Sequence, residues 1–248
     1  MFLQAQARTY RKFIIPEDKQ NLAAKVTNIG NLSSAIELIR RKLGQTGVPE
    51  FAKTCFGHFL DIQTVKFSSA VVHSLLIRQI ECDDPKVAEF NFRGVGVRFD
   101  KKAFALVTGL KCGRPIRNTS SLPDRLWDKY FGTPREIQLK DLMEKFECRQ
   151  FDEKDVDDNV RICMFYLLET VFLSGDKKKP VNNNNLKIIQ DDSLVNKYPW
   201  GTLSYDMTIA SVRSCVNTNN SSNTYTIYGF PIAFQVLFIL VVIRLLYL

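Results

Sequence analysis

The sequence predicts a mainly α fold of the α+β class: a compact helical domain with one small β-hairpin near residues 89–100 and a hydrophobic C-terminal segment. Three observations predict it. Apolar residues recur at helical spacing through most of the chain, and between residues 89 and 100 that period changes to two around a Gly-Val-Gly. Of the 248 residues, 45% are hydrophobic and 24% charged, which is ordinary globular usage and excludes collagen-like and wholly disordered classes.

The elements follow in order. Leu32, Ala35, Ile36, Ile39 and Leu43 share one face of a helix over 31–44, with Ser34 and Glu37 spaced as a capping box and Gly44 as the stop. A second helix over 48–62 has Pro49 in its first turn and Phe51, Cys55, Phe59 and Leu60 on its apolar face. A third covers 68–80, with Val71, Val72, Leu75, Leu76 and Ile80 inward. Phe90 and Phe92, then Val97 and Phe99, flank Gly94 and Gly96 as the arms of the hairpin. Asp100 caps a brief helix carrying Phe104, Leu106 and Val107, which Gly109 ends.

Helical patterns continue over 122–131, 137–146 and 156–173, the last apolar enough for the centre of a core. Residues 177–180 and the asparagine run 182–185 read as loops. Tyr198-Pro199-Trp200-Gly201 reads as a turn anchored by its aromatic ring, followed by a helix over 203–216 and a polar loop over 217–223. The expected organisation is a flexible beginning over 1–30, a folded domain over 31–236 and a hydrophobic extension over 237–248.

Composition narrows the chemistry. His58 and His73 are the only histidines, which disfavours a multi-histidine metal centre and most acid–base schemes. Cys55, Cys82, Cys112, Cys148, Cys163 and Cys215 form no C-x-x-C pair, so neither a zinc site nor a disulfide scaffold is expected, and no cofactor is implied. Charged and amide residues interrupt the first apolar stretch, which makes nucleus or cytoplasm the default compartment. The sharpest catalytic pattern is Cys55 with His58, one helical turn apart, where an imidazole could deprotonate a thiol. With no oxyanion donor or orienting group to place beside them, a core cysteine beside a surface or hydrogen-bonded histidine on an apolar helix is the preferred reading. The paired acids Asp157-Asp158 and Asp191-Asp192 read as solvated, because adjacent helical residues do not face one another.

The formal net charge is +8, and its densest local source is Arg93, Arg98, Lys101, Lys102, Lys111, Arg114 and Arg117 against Asp100 alone. If the hairpin and short helix present these groups together, they are candidates for nucleic-acid phosphate contact. The stretch 229–248 has 20 residues, of which 16 are apolar. As a helix it would span about 30 Å, the thickness of a bilayer's hydrocarbon. Two readings of it are open: a membrane tail anchor with Arg244 snorkelling near its end, or packing of 228–236 into the domain with only 237–248 as an extension. The packed reading is preferred.

Six stretches keep a common order: CFGHFLDI at 55–62, VRFDKKAFALVTGLKCG at 97–113, YF at 130–131, YLLETVFLSGD at 166–176, YPWG at 198–201 and YGFPIAFQV at 228–236. Together they resemble the plant DUF1985 family, a domain of unknown function usually found in transposon-derived genes ahead of a ubiquitin-like-protein-specific protease domain. The resemblance implies no catalytic residue that could be carried onto this chain, because the peptidase machinery of fuller relatives lies downstream, where this sequence instead reads LFILVVIRLLYL. It implies a noncatalytic module that contacts a protein or nucleic acid. The alternatives are a tail-anchored membrane protein and a hydrolase using Cys55 and His58; partner identity and oligomeric state stay open.

Overall fold

The structure is a computed structural model that describes residues 11–20, 24–62, 66–92, 94–115, 122–133, 136–215 and 224–246, the last five of these by backbone alone. The first regular strand, β1 (Lys25–Asn28), falls inside the stretch expected to be a flexible beginning. It pairs in parallel with a strand almost two hundred residues later, Thr27 opposite Thr226, and buries Val26 in the core.

Helix α1 (Leu32–Ala52) is the two expected helices fused across a kink. The kink is at Gly44, whose φ of 59° only glycine adopts without strain. Its cap is Asn31, whose side chain accepts from the Ser34 N–H at 3.1 Å, in place of the capping box expected from Ser34 and Glu37. The helix stops at Ala52 rather than 62. The Thr54 hydroxyl donates to Phe51 O at 2.8 Å and the Lys53 N–H reaches back only to Glu50 O, so the ladder tightens and closes. A single 3₁₀ turn, Gly57–Leu60, follows.

Helix α2 (Ser69–Leu76) is capped by Ser68 and ends four residues before Ile80, the end that periodicity predicts. Pairing overrides it: Gln79–Ile80 form β2, antiparallel to β3 (Ala88–Phe92), which pairs in turn with β4 (Val95–Phe99). The expected hairpin is therefore part of a three-stranded sheet. Residues 12–14 extend its β2 edge through an antiparallel bridge between Phe13 and Ile80 and bonds from Ile14 N–H to Gln79 O and from Glu81 N–H to Lys12 O. Helix α3 (Lys101–Thr108) follows as expected, with the Asp100 carboxylate accepting from Ala103 N–H at 2.8 Å. Gly109 ends it in the left-handed region at φ 69°.

After α4 (Arg125–Tyr130) and α5 (Leu139–Cys148) comes the central helix, α6 (Val156–Leu167), which runs into a π-helical turn over Leu168–Phe172. From Asp158 onward it is buried at every position but Arg161, with Cys163, Phe165, Leu167 and Leu168 wholly inaccessible, and α1 packs along it. Asp158 at its start is buried rather than solvated as expected, because Arg125 and Lys129 on α4 both close over it at 2.7 Å. Asp157 and Asp192 do point outward.

The asparagine run, expected as loop, begins α7 (Asn183–Ile189). Asn182 caps it by accepting from Asn184 N–H, and Leu186, Ile188 and Ile189 provide the buried face that holds it as a helix. Helix α8 (Trp200–Cys215) starts at the anchored tryptophan, whose indole N–H donates to Val195 O at 2.8 Å. The loop expected over 217–223 lies outside the described residues.

After β5 (Thr224–Ile227), the partner of β1, the chain ends in α9 (Pro231–Leu246). This helix lays its aromatic face on the three-stranded sheet, with Phe234 5.2 Å from Phe99 and Phe238 4.8 Å from Phe90 between ring centroids. Phe230 and Phe234 are buried, and burial continues past Val236 to Phe238. Among the described residues no helix is long and apolar enough to cross a membrane.

Candidate nucleic-acid interface

The hairpin and α3 form one compact unit because Phe99 packs edge-on against Phe104 and at a tilt against Tyr205 of α8, whose phenol donates to Phe99 O. Beyond Gly109 the chain doubles back, placing Cys112 Sγ 4.0 Å from Lys101 O. Gly113 is fixed to Thr202 by two hydrogen bonds, N–H to Oγ1 and Oγ1–H to O. Arg98, Lys101, Lys102, Lys111 and Arg114 thus belong to one packed unit.

Their charges are not equally available. Arg98 on β4 has Glu89, Asp100 and Asp84 within 3.3, 3.5 and 3.8 Å. Lys101 reaches Asp206 at 3.0 Å and lies over the Tyr205 ring. Lys102, Lys111 and Arg114 are exposed and carry no ion pair among the described residues. Arg93 and Arg117 lie outside the described residues.

A second feature was invisible to sequence reasoning, which assigned the first thirty residues to a flexible segment. Because residues 12–14 join the sheet, an open groove of about 540 Å³ forms between Arg11, Lys12, Phe13, Pro16 and Glu17 on one side and Asn91 and Gly94 at the hairpin turn on the other. Lys12 is exposed there, whereas Arg11 leans toward Asp83 at 3.4 Å and Glu89 at 3.7 Å. The groove carries cations and an aromatic edge, with Glu17 in its wall.

Cys55 and His58 do not share a helical face, since both fall after α1 has ended. Cys55 lies against Val195 O at 3.6 Å, and its N–H donates to Asn196 Oδ1. The ring of His58 turns to Thr108, its Nε2 2.8 Å from the carbonyl oxygen. Burial pushes the Cys55 thiol up to about 12. A nucleophilic cysteine needs the opposite shift, and the exposed His58 ring is engaged with Thr108 O. Among the described residues no group of three or more His, Cys, Asp or Glu side chains could hold a metal ion.

The model of a domain of unknown function, DUF1985, matches residues 76–211, more than half of the chain. The chain belongs to the DUF1985 family. The DUF1985 match begins at the end of α2 and closes within α8, so it takes in the three-stranded sheet, α3 and the central α6. Helix α1, the β1–β5 pair and α9 lie outside the matched stretch, yet they pack onto the DUF1985 core through Ile39, Val26 and Phe234. No curated protein and no solved structure matches the chain.

Proposed function

We propose that this DUF1985 domain is a noncatalytic interaction module that holds nucleic acid by its phosphates at the α3 face. The observation that carries the reading is the exposure of Lys102, Lys111 and Arg114 without acidic partners among the described residues, next to Arg98 and Lys101, whose charges acids already occupy. Unpaired cations on a rigid unit lose little when they exchange water and counterions for phosphate. A noncatalytic role is supported by the raised Cys55 thiol and by the engagement of His58 with Thr108 and of His73 with Tyr225. The setting that the family resemblance implies is a plant transposon-derived gene, with the module accessory to a ubiquitin-like-protein-specific protease and acting in nucleus or cytoplasm.

The test is fluorescence anisotropy with labelled DNA and RNA between about 50 and 200 mM salt. The wild-type chain should lose affinity steeply with salt. The charge-reversed variant K102E/K111E/R114E should bind weakly, with a slope of log affinity against log salt lower by about 2–3. Unchanged affinity and slope in that variant would refute the reading.

A further inference from the structure

Lys140, Lys177, Lys178 and Lys179 meet at one corner of the molecule, although Lys140 is far from the other three in sequence. The corner is built by backbone. In the turn 176–180 the Asp176 carboxylate accepts from Lys178 N–H, and Asp176 O accepts from Lys179 N–H, both at 2.9 Å. The turn is then joined to the start of α5: Lys140 N–H donates to Lys177 O at 3.0 Å, Leu139 N–H to Lys179 O at 2.9 Å, and Val181 N–H to Ile137 O at 3.0 Å. All four lysines are exposed, and none has an ion pair among the described residues.

The acids nearest in sequence keep their charges but form no ion pair with these lysines among the described residues. Asp176 is bonded to the turn, and Asp141 Oδ2 accepts from Gln138 N–H at 3.1 Å in the capping box of α5. Glu136 and Glu144 are exposed. Four like charges repel one another and in a flexible loop would splay apart; here main-chain hydrogen bonds hold their anchor points whatever the side chains do. An array of this kind suits a ligand that is itself a row of like charges.

We propose that this corner is a second phosphate-contacting surface, along which the backbone of double-stranded nucleic acid runs. The proposal rests on the nucleic-acid reading above and extends it to a second face. Lysine acts as a point charge rather than a bidentate fork, so the contact reads the backbone and carries no base sequence. The corner, Lys140 with Lys177–Pro180, has no aromatic side chain on which an unpaired base could stack, which favours a duplex over a single strand.

The experiment uses the full chain, a fluorescein-labelled duplex of random sequence, and anisotropy across a salt series. The variant K140Q/K177Q/K178Q/K179Q should bind at least about tenfold more weakly at low salt, with the slope reduced by about 0.9 for each lysine that contacts phosphate. Replacing the same four by arginine should restore both. Thermal unfolding of each variant checks that the fold is intact. If the glutamine variant keeps the wild-type slope while K102E/K111E/R114E loses binding, the corner proposal is wrong and the α3 reading stands. If the glutamine variant alone loses binding, the corner stands and the α3 face falls. A wild-type chain that prefers a polyglutamate peptide to duplex overturns both, and the occupant is then an acidic protein segment.

Discussion

Asn185 donates its Nδ2–H to Glu169 Oε1 at 2.6 Å inside the core, tying α7 to the π-helical turn that ends α6. Both side chains are buried, at 2% and 6% exposure. The contact explains why a run of asparagines follows the loop after Gly175: Asn182 caps the helix with its side chain, and Asn185 satisfies a carboxyl that the helix covers.

That carboxyl makes stability depend on pH. Burial pushes Glu169 up from 4.5 to about 7, against the smaller opposing effect of Asn185. Between those values the native state holds a proton that the unfolded chain has released. Stability from this group is therefore full below about pH 4.5, declines as pH rises, and levels off above about pH 7, a loss of about 3 kcal/mol. Glu169→Gln keeps the acceptor for Asn185 and removes the titration. Urea unfolding at about pH 5 and pH 8 should show the decline in wild type and not in the variant; a decline of equal size in both would refute it.

Asp158 has the opposite sign. Hydrogen bonds from the Arg125 guanidinium, with Lys129 in support, hold its carboxyl down at about 2, against an ordinary 3.8. Its contribution is present above about pH 3.8 and disappears as pH falls toward 2, about 2 kcal/mol in all. Asp158→Asn should therefore lower stability at neutral pH by about that amount and match wild type near pH 2. A variant equally stable at neutral pH would show that the two cations gain nothing from the pairing.

The apolar end of the chain offers a comparison within one helix. Phe238 is fully buried against Phe90, Phe92 and Phe234, whereas Leu240 is 56% exposed. Phe238→Ala should cost about 3–5 kcal/mol of unfolding free energy. Leu240→Ser should stay within about 0.5 kcal/mol. Equal, small effects would mean that α9 is not seated on the sheet.

The candidate site shows how far local reading extends. The basic residues around α3 are legible by counting, but which of them are available is not, because Glu89, Asp84 and Asp206 reach Arg98 and Lys101 from other elements. The groove beside Lys12 was missed for a similar reason. Its wall depends on residues 12–14 pairing with β2, and a short irregular strand leaves no periodic signal.

By itself the sequence determined the features whose physics lies within a few residues: the Asp100 and Gly109 boundaries of α3, the alternation of Phe90 through Phe99, and the apolar density of α6. Caps, turns and periodicity act over one or two helical turns, so each leaves its mark where it acts. Only the tertiary structure decided that Thr27 pairs with Thr226, that Asp158 is covered by α4, and that Lys140 joins Lys177. Those outcomes depend on which segments the chain brings together, and burial and hydrogen bonding between distant segments outweigh the weaker local preferences of each.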